Sequence, residues 1–411
     1  MTEYYDELET RSDEERERSL VEAIRAQLLH ARDNTGVFSD SLAGYDCEGF
    51  SDLGKLANFP VLRKSSLIEM QKNAPPLGGV SPLERGNIRY VHASPGPIYE
   101  ACSARADFWR LARALFAAGF RRGDLVHNSF SYHLTPAGAM LDSGCHALGC
   151  AVIPGGIGQT ELQLQAINDL KPGGYVGTPS FLKIVMEKAA ETGMSVDSLK
   201  RGLVSGEALP APLRAQFSEH GIAVLQVYAT ADLGSIAYET VPDAGLVIDE
   251  GIHLEIVRPG SGDPVPSGEV GEVVVTSLNP DYPLIRLATG DMSAFMEDRS
   301  ECGRTNRRIK GWMGRADQTA KVRGMFIHPE QIGQVVRRHP EIIKARLVID
   351  WIDQRDRMTL RCEVSGRPKG LEGAIAESIR ECCRVRGEAE LVEPGAIPND
   401  GIVIEDIREY E

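Results

Sequence analysis

Four short apolar segments, LVHNSF, AVIPGG, GYVGTPS and GLVSGEAL, recur between residues 125 and 209, and most run out into glycine. The stretches at 160–170 and 180–193 between them carry apolar residues at helical spacing. This alternation constrains the fold more than any other feature of the chain. Parallel strands cannot be joined by a tight turn, so each needs a crossover of about a dozen residues, which a helix supplies. The pattern therefore predicts βαβ units and a largely parallel sheet. In such folds ligands collect beyond the carboxyl ends of the strands, where these glycines fall.

The flanking sequence extends the scheme. Residues 13–33 place apolar positions on one helical face with charges opposite, and Asp107–Ala118 repeats that pattern. From about residue 250 the texture changes. HLEIVRPGSGDPVPSGEVGEVVVTSL reads as strands joined by Gly/Pro turns. After Gly314 a smaller unit follows: ARLVIDW and MTLRCEVSG read as strands, LEGAIAESIRECCRVR as a helix. The expected fold is α/β, a large N-terminal α/β body with a β-rich subdomain over 1–316, then a small C-terminal α+β domain over 317–411.

Composition narrows the function. In 411 residues, 42% hydrophobic, no run approaches the ~20 apolar residues that cross a bilayer. The N-terminus, MTEYYDELETRSDEERERSLVEAI, is unlike a signal peptide, so a soluble cytoplasmic protein without membrane partners is expected. A net charge of −14 argues against nucleic acid as a partner. The eight cysteines form no CxxC pair and read as free, mostly buried thiols. One local exception to the acidity stands out. From Arg304 to Arg323 seven basic residues face a single acid, Asp317, a segment suited to a polyphosphate ligand.

Three short motifs then fall in a fixed order: VYATADLG at 227–234, PLIRLATGD at 283–291 and GRADQTAKVRG at 314–324. Together with CGRTNRRI they resemble the adenylate-forming (ANL) superfamily, specifically its phenylacetate–CoA ligase-like branch, and the likeness covers nearly the whole chain. It implies a two-domain ligase that uses ATP and Mg²⁺ to turn a small carboxylic acid into an acyl-adenylate, and coenzyme A to take the acyl group as a thioester. An aryl or arylacetic acid is the substrate class implied, and homodimers are common in the family.

The resemblance also implies roles. Asp291 would accept both ribose hydroxyls, since a carboxylate offers two oxygens. Arg315, an always-charged fork, suits ribose and phosphate oxygens. Tyr228, with Ala229 and Thr230, would line the adenine, and Ser205, Gly206 and Glu207 its edge. Asp232 takes the place of the acid that holds Mg²⁺. Asp317 would be the hinge about which the small domain turns between half-reactions, the basic segment then meeting CoA. Phe130, Tyr132, His133, Gly155 and Gly156 would line the acyl pocket.

Three departures from the family pattern matter. The phosphate loop, HASSGTTGKP in this branch, reads HASPGPIYE here. Ser94 and Gly96 survive, but each proline removes an N–H donor and Glu100 stands near the place of the lysine. The loop is expected to be stiff and to grip poorly, so that AMP binds nearly as tightly as ATP. Near the C-terminus, PNDGIVIED puts Ile402 where the family has its catalytic lysine. Losing one such preorganised donor costs on the order of 10²–10³ in rate, so adenylation is the step affected. Cys302 stands alone where relatives carry further cysteines, and one thiol makes no structural zinc site. The rival readings are an adenylating enzyme with an acceptor other than CoA, and a non-catalytic nucleotide- or acyl-CoA-binding protein on the same scaffold.

Overall fold

The computed structural model describes residues 3–408 except 95, 258–261, 317–318, 328, 353–354, 367 and 399–402. Pro95, Asp317 and Ile402 lie outside the described residues. The chain divides into two compact units, Met1–Leu209 with Arg214–Met313, and Pro210–Leu213 with Gly314–Glu411.

In the first unit the strands run in chain order β1 (Leu62–Arg63), β2 (Tyr90–Ser94), β3 (Ile98–Cys102), β4 (Leu125–Asn128), β5 (Ala151–Pro154), β6 (Gly174–Gly177) and β7 (Arg201–Val204). They continue with β8 (Ala223–Thr230), β9 (Gly234–Tyr238), β10 (Leu246–Ile248), β11 (Ile252–Val257), β12 (Gly271–Ser277), β13 (Leu287–Ser293) and β14 (Arg308–Ile309). The main sheet has the order β14-β10-β9-β8-β7-β6-β4-β5. Its β5, β4, β6, β7 and β8 pair in parallel, and β9, β10 and β14 continue it antiparallel. Strand β6 is buried throughout, as expected for a strand covered on both faces. A second sheet, β1-β13-β12-β11, carries the TGD segment, and β2 and β3 form a separate hairpin.

The crossover helices Thr160–Leu170 and Pro179–Thr192 start and stop where the apolar periodicity does. Thr178 caps the latter: its hydroxyl accepts from the Phe181 amide at 3.3 Å, and Pro179 occupies the first turn, where no N–H is needed. Thr178→Ala is expected to lower stability by about 1 kcal/mol, read as a shift in the urea midpoint with unchanged slope. One helix is shorter than its pattern predicts. Asp107–Ala118 forms a helix only over Ala112–Ala117. Asp107 and Arg110 take positive φ, and the Asp107 carboxylate accepts from the Leu111 and Ala112 amides. An aspartate side chain in competition with the backbone starts the helix late.

The N-terminal segment is tied to residues made much later. Glu9 is buried, accepting from Tyr238 Oη at 2.8 Å and Arg304 Nε at 2.5 Å. Arg16, on the helix Asp13–Asn34, pairs with Glu250 at 3.2 Å and donates to Thr305 Oγ1 at 2.8 Å. The basic segment therefore differs from a solvated patch. Arg304 and Arg308 are each 4% exposed and held by Glu9 and by Asp298, and Arg307 lies 3.4 Å over the Phe295 ring. No helix of the described residues is long and apolar enough to cross a membrane. All eight cysteines are free thiols, seven of them buried.

The second unit has strands β15 (Ala320–Val322), β16 (Met325–Ile327), β17 (Ile342–Ile352), β18 (Arg355–Val364), β19 (Glu388–Val392) and β20 (Ile404–Asp406). Strands β17 and β18 form a long antiparallel hairpin flanked by parallel β20 and β19. Its core packs Leu347, Ile349 and Leu360 with Ile375 and Ile379 of the helix Leu371–Cys383.

Candidate active site

In the first unit, two strands bring the motif residues together. Tyr228 and Thr230 close β8, Asp232 follows it, and Asp291 sits in β13. Tyr228 Oη donates to Asp291 Oδ2 at 2.8 Å, across 63 residues of sequence. The other carboxylate oxygen, Oδ1, accepts from the indole N–H of Trp312 at 3.1 Å. These two donors help to hold the Asp291 side chain, 8% exposed, in one orientation. Trp312 was not among the residues singled out from sequence. Its neighbours give no motif, and only the fold brings it to the TGD segment.

Ser205, Gly206 and Glu207 follow the carboxyl end of β7, as the glycine pattern requires. Ser205 Oγ donates to the Val227 carbonyl at 2.8 Å, Gly206 takes φ +85°, and Glu207 accepts from Ser180 Oγ at 3.0 Å. Phe130 is buried, whereas His133 is exposed. Tyr132 Oη donates to Asp142 at 2.9 Å, and a Cβ at Gly156 would come within 3.7 Å of its ring. At Gly155 a Cβ would meet His127 at 2.9 Å and the Gln163 amide at 2.6 Å, so only glycine fits. Arg315 belongs to the second unit, where its guanidinium lies 5.4 Å over the Phe326 ring. Cys302 accepts from the Thr240 hydroxyl at 3.2 Å and has the Ser300 hydroxyl 3.0 Å away. Among the described residues no group of three His, Cys, Asp or Glu could hold a metal ion.

Asp232 is 6% exposed. Its Oδ1 accepts from Thr230 Oγ1 at 2.5 Å and from the Leu233 amide at 3.1 Å. Its Oδ2 lies 3.0 Å from the Lys64 ammonium but finds no aligned hydrogen-bond donor among the described residues. Lys64 opens the helix Lys64–Asn73, directly after β1. A cation in a helix's first turn opposes the macrodipole, and that misfit is the one local signal that would have marked it. Burial draws the Lys64 pKa down, but the Asp232 charge outweighs it, helped by Asp291 and Glu100, and the ammonium form is reinforced.

The phosphate-loop segment is a hairpin. Ser94 faces Ile98 across its end, and Gly96, at φ +155°, lies in the turn. Glu100 does not point out towards a ligand as an isolated acid would. It is 4% exposed, Oε1 accepts from Ser94 Oγ at 2.7 Å, and Oε2 has no partner among the described residues. Burial and the Asp232 charge push its pKa up to about 8, against the pull of Ser94 and Lys64. The folded protein thus keeps this proton across a range where an unfolded chain has lost it. Stability should fall as pH rises from about 4.5 towards about 8 and level off above. Glu100→Gln is expected to flatten that slope, leaving the variant ahead of the parent at pH 8.5 by on the order of 2 kcal/mol in chemical denaturation.

A tyrosine and an indole clasping an acid beside a β-strand end, with a second buried acid nearby, is a geometry many nucleotide sites share. Comparison with known proteins decides among them. Residues 140–279 match the family model described as AMP-binding enzyme. The phenylacetate-coenzyme A ligase of Thermus thermophilus is 30% identical over 344 residues, 79% of this chain and 75% of that protein. The chain belongs to the phenylacetate–CoA ligase-like branch of the adenylate-forming superfamily. The phenylacetate-coenzyme A ligase of Aromatoleum evansii is 27% identical over 417 residues, spanning 95% and 93% of the two chains. Among solved structures, 2-hydroxyisobutyryl-CoA ligase in complex with 2-HIB-AMP and CoA superposes with a TM-score of 0.86 at 25% identity, over 98% of this chain and 92% of that one. The amide bond synthetase McbA from Marinactinospora thermotolerans shares the fold at a TM-score of 0.58 and 19% identity, over 78% of this chain and 68% of its own.

Proposed function

We propose that this adenylate-forming family member is an AMP-forming acyl-CoA ligase. A carboxylate oxygen attacks the α-phosphorus of ATP, pyrophosphate leaves with the electron pair of the broken P–O bond, and an acyl-adenylate results. The thiol of CoA then attacks the acyl carbon, AMP leaves, and the thiol proton passes to solvent. The observation that carries the reading is the Tyr228–Asp291 hydrogen bond. It sets a flat ring for adenine beside a carboxylate for ribose, in the family whose model the chain matches. Ser205, Gly206 and Glu207 would border the adenine edge, and Phe130, Tyr132, Gly155 and Gly156 the acyl group. Arg315 would add ribose and phosphate contacts.

A magnesium ion fits Asp232. Its buried Oδ2 has the Lys64 ammonium at 3.0 Å and no aligned donor among the described residues, so a turn of Lys64 would open it to such an ion, which takes one carboxylate with phosphate and water oxygens. Bound there, the ion would neutralise phosphate charge. An aryl or arylacetic acid is the substrate class in keeping with the phenylacetate-named relatives. The test is ATP–pyrophosphate exchange over a panel of aryl, arylacetic and short aliphatic acids, joined to thioester formation from a supplied acyl-adenylate and CoA. Thioester formation with some member of the panel is expected. Exchange and thioester formation both absent for every acid would favour the second reading, a nucleotide- or acyl-CoA-binding protein. Ile402 and the buried Glu100 supply the specific grounds for that second reading.

A further inference from the structure

We propose that Lys64 is the residue that receives the β- and γ-phosphates, taking over the work of the lysine that the hairpin lacks. The inference rests on the ligase reading of the same site. It starts from where the chain puts Lys64. Strand β1 pairs in parallel with β13, Leu62 against Leu287 and Arg63 against Ala288, so the next residue emerges beside the strand that carries Asp291. The helix that begins with Lys64 is bolted to the hairpin at its other end. The Gln71 side-chain amide donates to the Tyr99 carbonyl at 2.6 Å and accepts from the Tyr99 amide at 2.8 Å. Lys64 is thus fixed by two elements, one bearing the ribose acid and the other the phosphate-loop segment.

Its surroundings point the same way. The ammonium feels Asp232, Asp291 and Glu100, the acids at the metal, ribose and loop-lysine positions. Besides Asp232 Oδ2, which has the Lys64 ammonium at 3.0 Å, two buried polar atoms of this cluster have no hydrogen-bond partner among the described residues: Glu100 Oε2, and Tyr282 Oη in the field of both carboxyl groups. Buried polar groups are paired in almost all folded proteins, so two orphans in the cluster of Lys64 and its acids point to a polar ligand there. Lys64 is 32% exposed at its side chain, while its partner carboxylate is 1% exposed. The ammonium can turn from Asp232 towards a phosphate oxygen without its helix moving.

The test is calorimetric titration of the full chain at pH 7 with ATP, AMP and inorganic pyrophosphate, no organic acid present. The parent is expected to bind ATP about tenfold more tightly than AMP. Lys64→Met should weaken ATP and pyrophosphate by about ten- to a hundredfold, the usual worth of one charged contact, and leave AMP within about threefold. Lys64→Arg should keep most of the ATP preference. Lys64→Gln, which still donates to Asp232 and so guards the fold, should behave as Lys64→Met. If Lys64→Met and Lys64→Gln keep the parent's ratio of ATP to AMP affinity, or if the parent shows no such preference, Lys64 is only the counter-ion of Asp232 and the inference falls alone. If the parent binds neither nucleotide, the ligase reading falls with it.

Discussion

Lysine in place of Ile402 is expected to raise ATP–pyrophosphate exchange by about two orders of magnitude, the usual size for one restored charge donor at a reacting centre. The expectation rests on the sequence PNDGIVIED, which resembles the family pattern of a lysine after a Pro-x-x-Gly stretch. An isoleucine cannot offset the charge that builds as a carboxylate attacks the α-phosphate. The parent chain should meanwhile convert a supplied acyl-adenylate to acyl-CoA at an ordinary rate, because that half-reaction needs no cation at this position. Stopped-flow detection of acyl-CoA separates the two steps. Should the parent exchange briskly without the lysine, another cation serves adenylation, and single alanine variants of Lys310, Lys321 and Lys369 would identify it. If Ile402→Lys gives no exchange with any acid, and supplied acyl-adenylate is not consumed either, the ligase reading is to be abandoned.

The second large effect concerns Asp291. Asp291→Ala is expected to weaken AMP binding by a hundredfold or more, since two hydrogen bonds from ribose to an ionised carboxylate contribute about 1.5–3 kcal/mol each. The fold should survive the change. Tyr228 and Trp312 are only partly buried, so water can replace the acceptor that they lose. Asp291→Asn, which keeps one carbonyl oxygen, should show a smaller loss. Equilibrium dialysis with labelled AMP reads both. A loss under threefold in Asp291→Ala would make the residue a strut between Tyr228 and Trp312 and would take the ribose assignment away.

What could be read from the sequence followed the range of the interactions. Strands β4 to β7 and the helices Thr160–Leu170 and Pro179–Thr192 lie where apolar periodicity and glycine put them, because both signals are local. The pairing of Tyr228 with Asp291 was legible only through the family motif order, since nothing local connects residues 63 positions apart. Lys64 was missed for the same reason. Its partner Asp232 is 168 residues away, and an uncapped lysine opening a helix looks like an ordinary surface charge. In the sequence Glu100 reads as an acid near the place of the phosphate-loop lysine. The alternation of the hairpin turns it inward, and burial there reverses its charge state. In the basic segment, Arg304 and Arg308 read as charges for a polyphosphate ligand because two of their acceptors, Glu9 and the Ala244 carbonyl, are distant in sequence.

The ties between the N-terminal segment and the Cys302–Thr305 region bear on the order in which the protein is made. The acceptors and donors of Arg16 and Glu9, at Glu250, Arg304 and Thr305, are translated 234 to 295 residues after them. At about 5–20 residues per second that is a wait of roughly 10–60 s. During that wait the helix Asp13–Asn34 has its Ser12 cap, its run of acids and the neighbouring Gly36–Ser41 and Leu53–Asn58 segments to pack against, while Glu9 and Arg16 lack their later partners. The buried ion pairs of Glu9 and Arg16 are therefore completed only after Arg304 and Thr305 have been made, and until then both side chains stay in water.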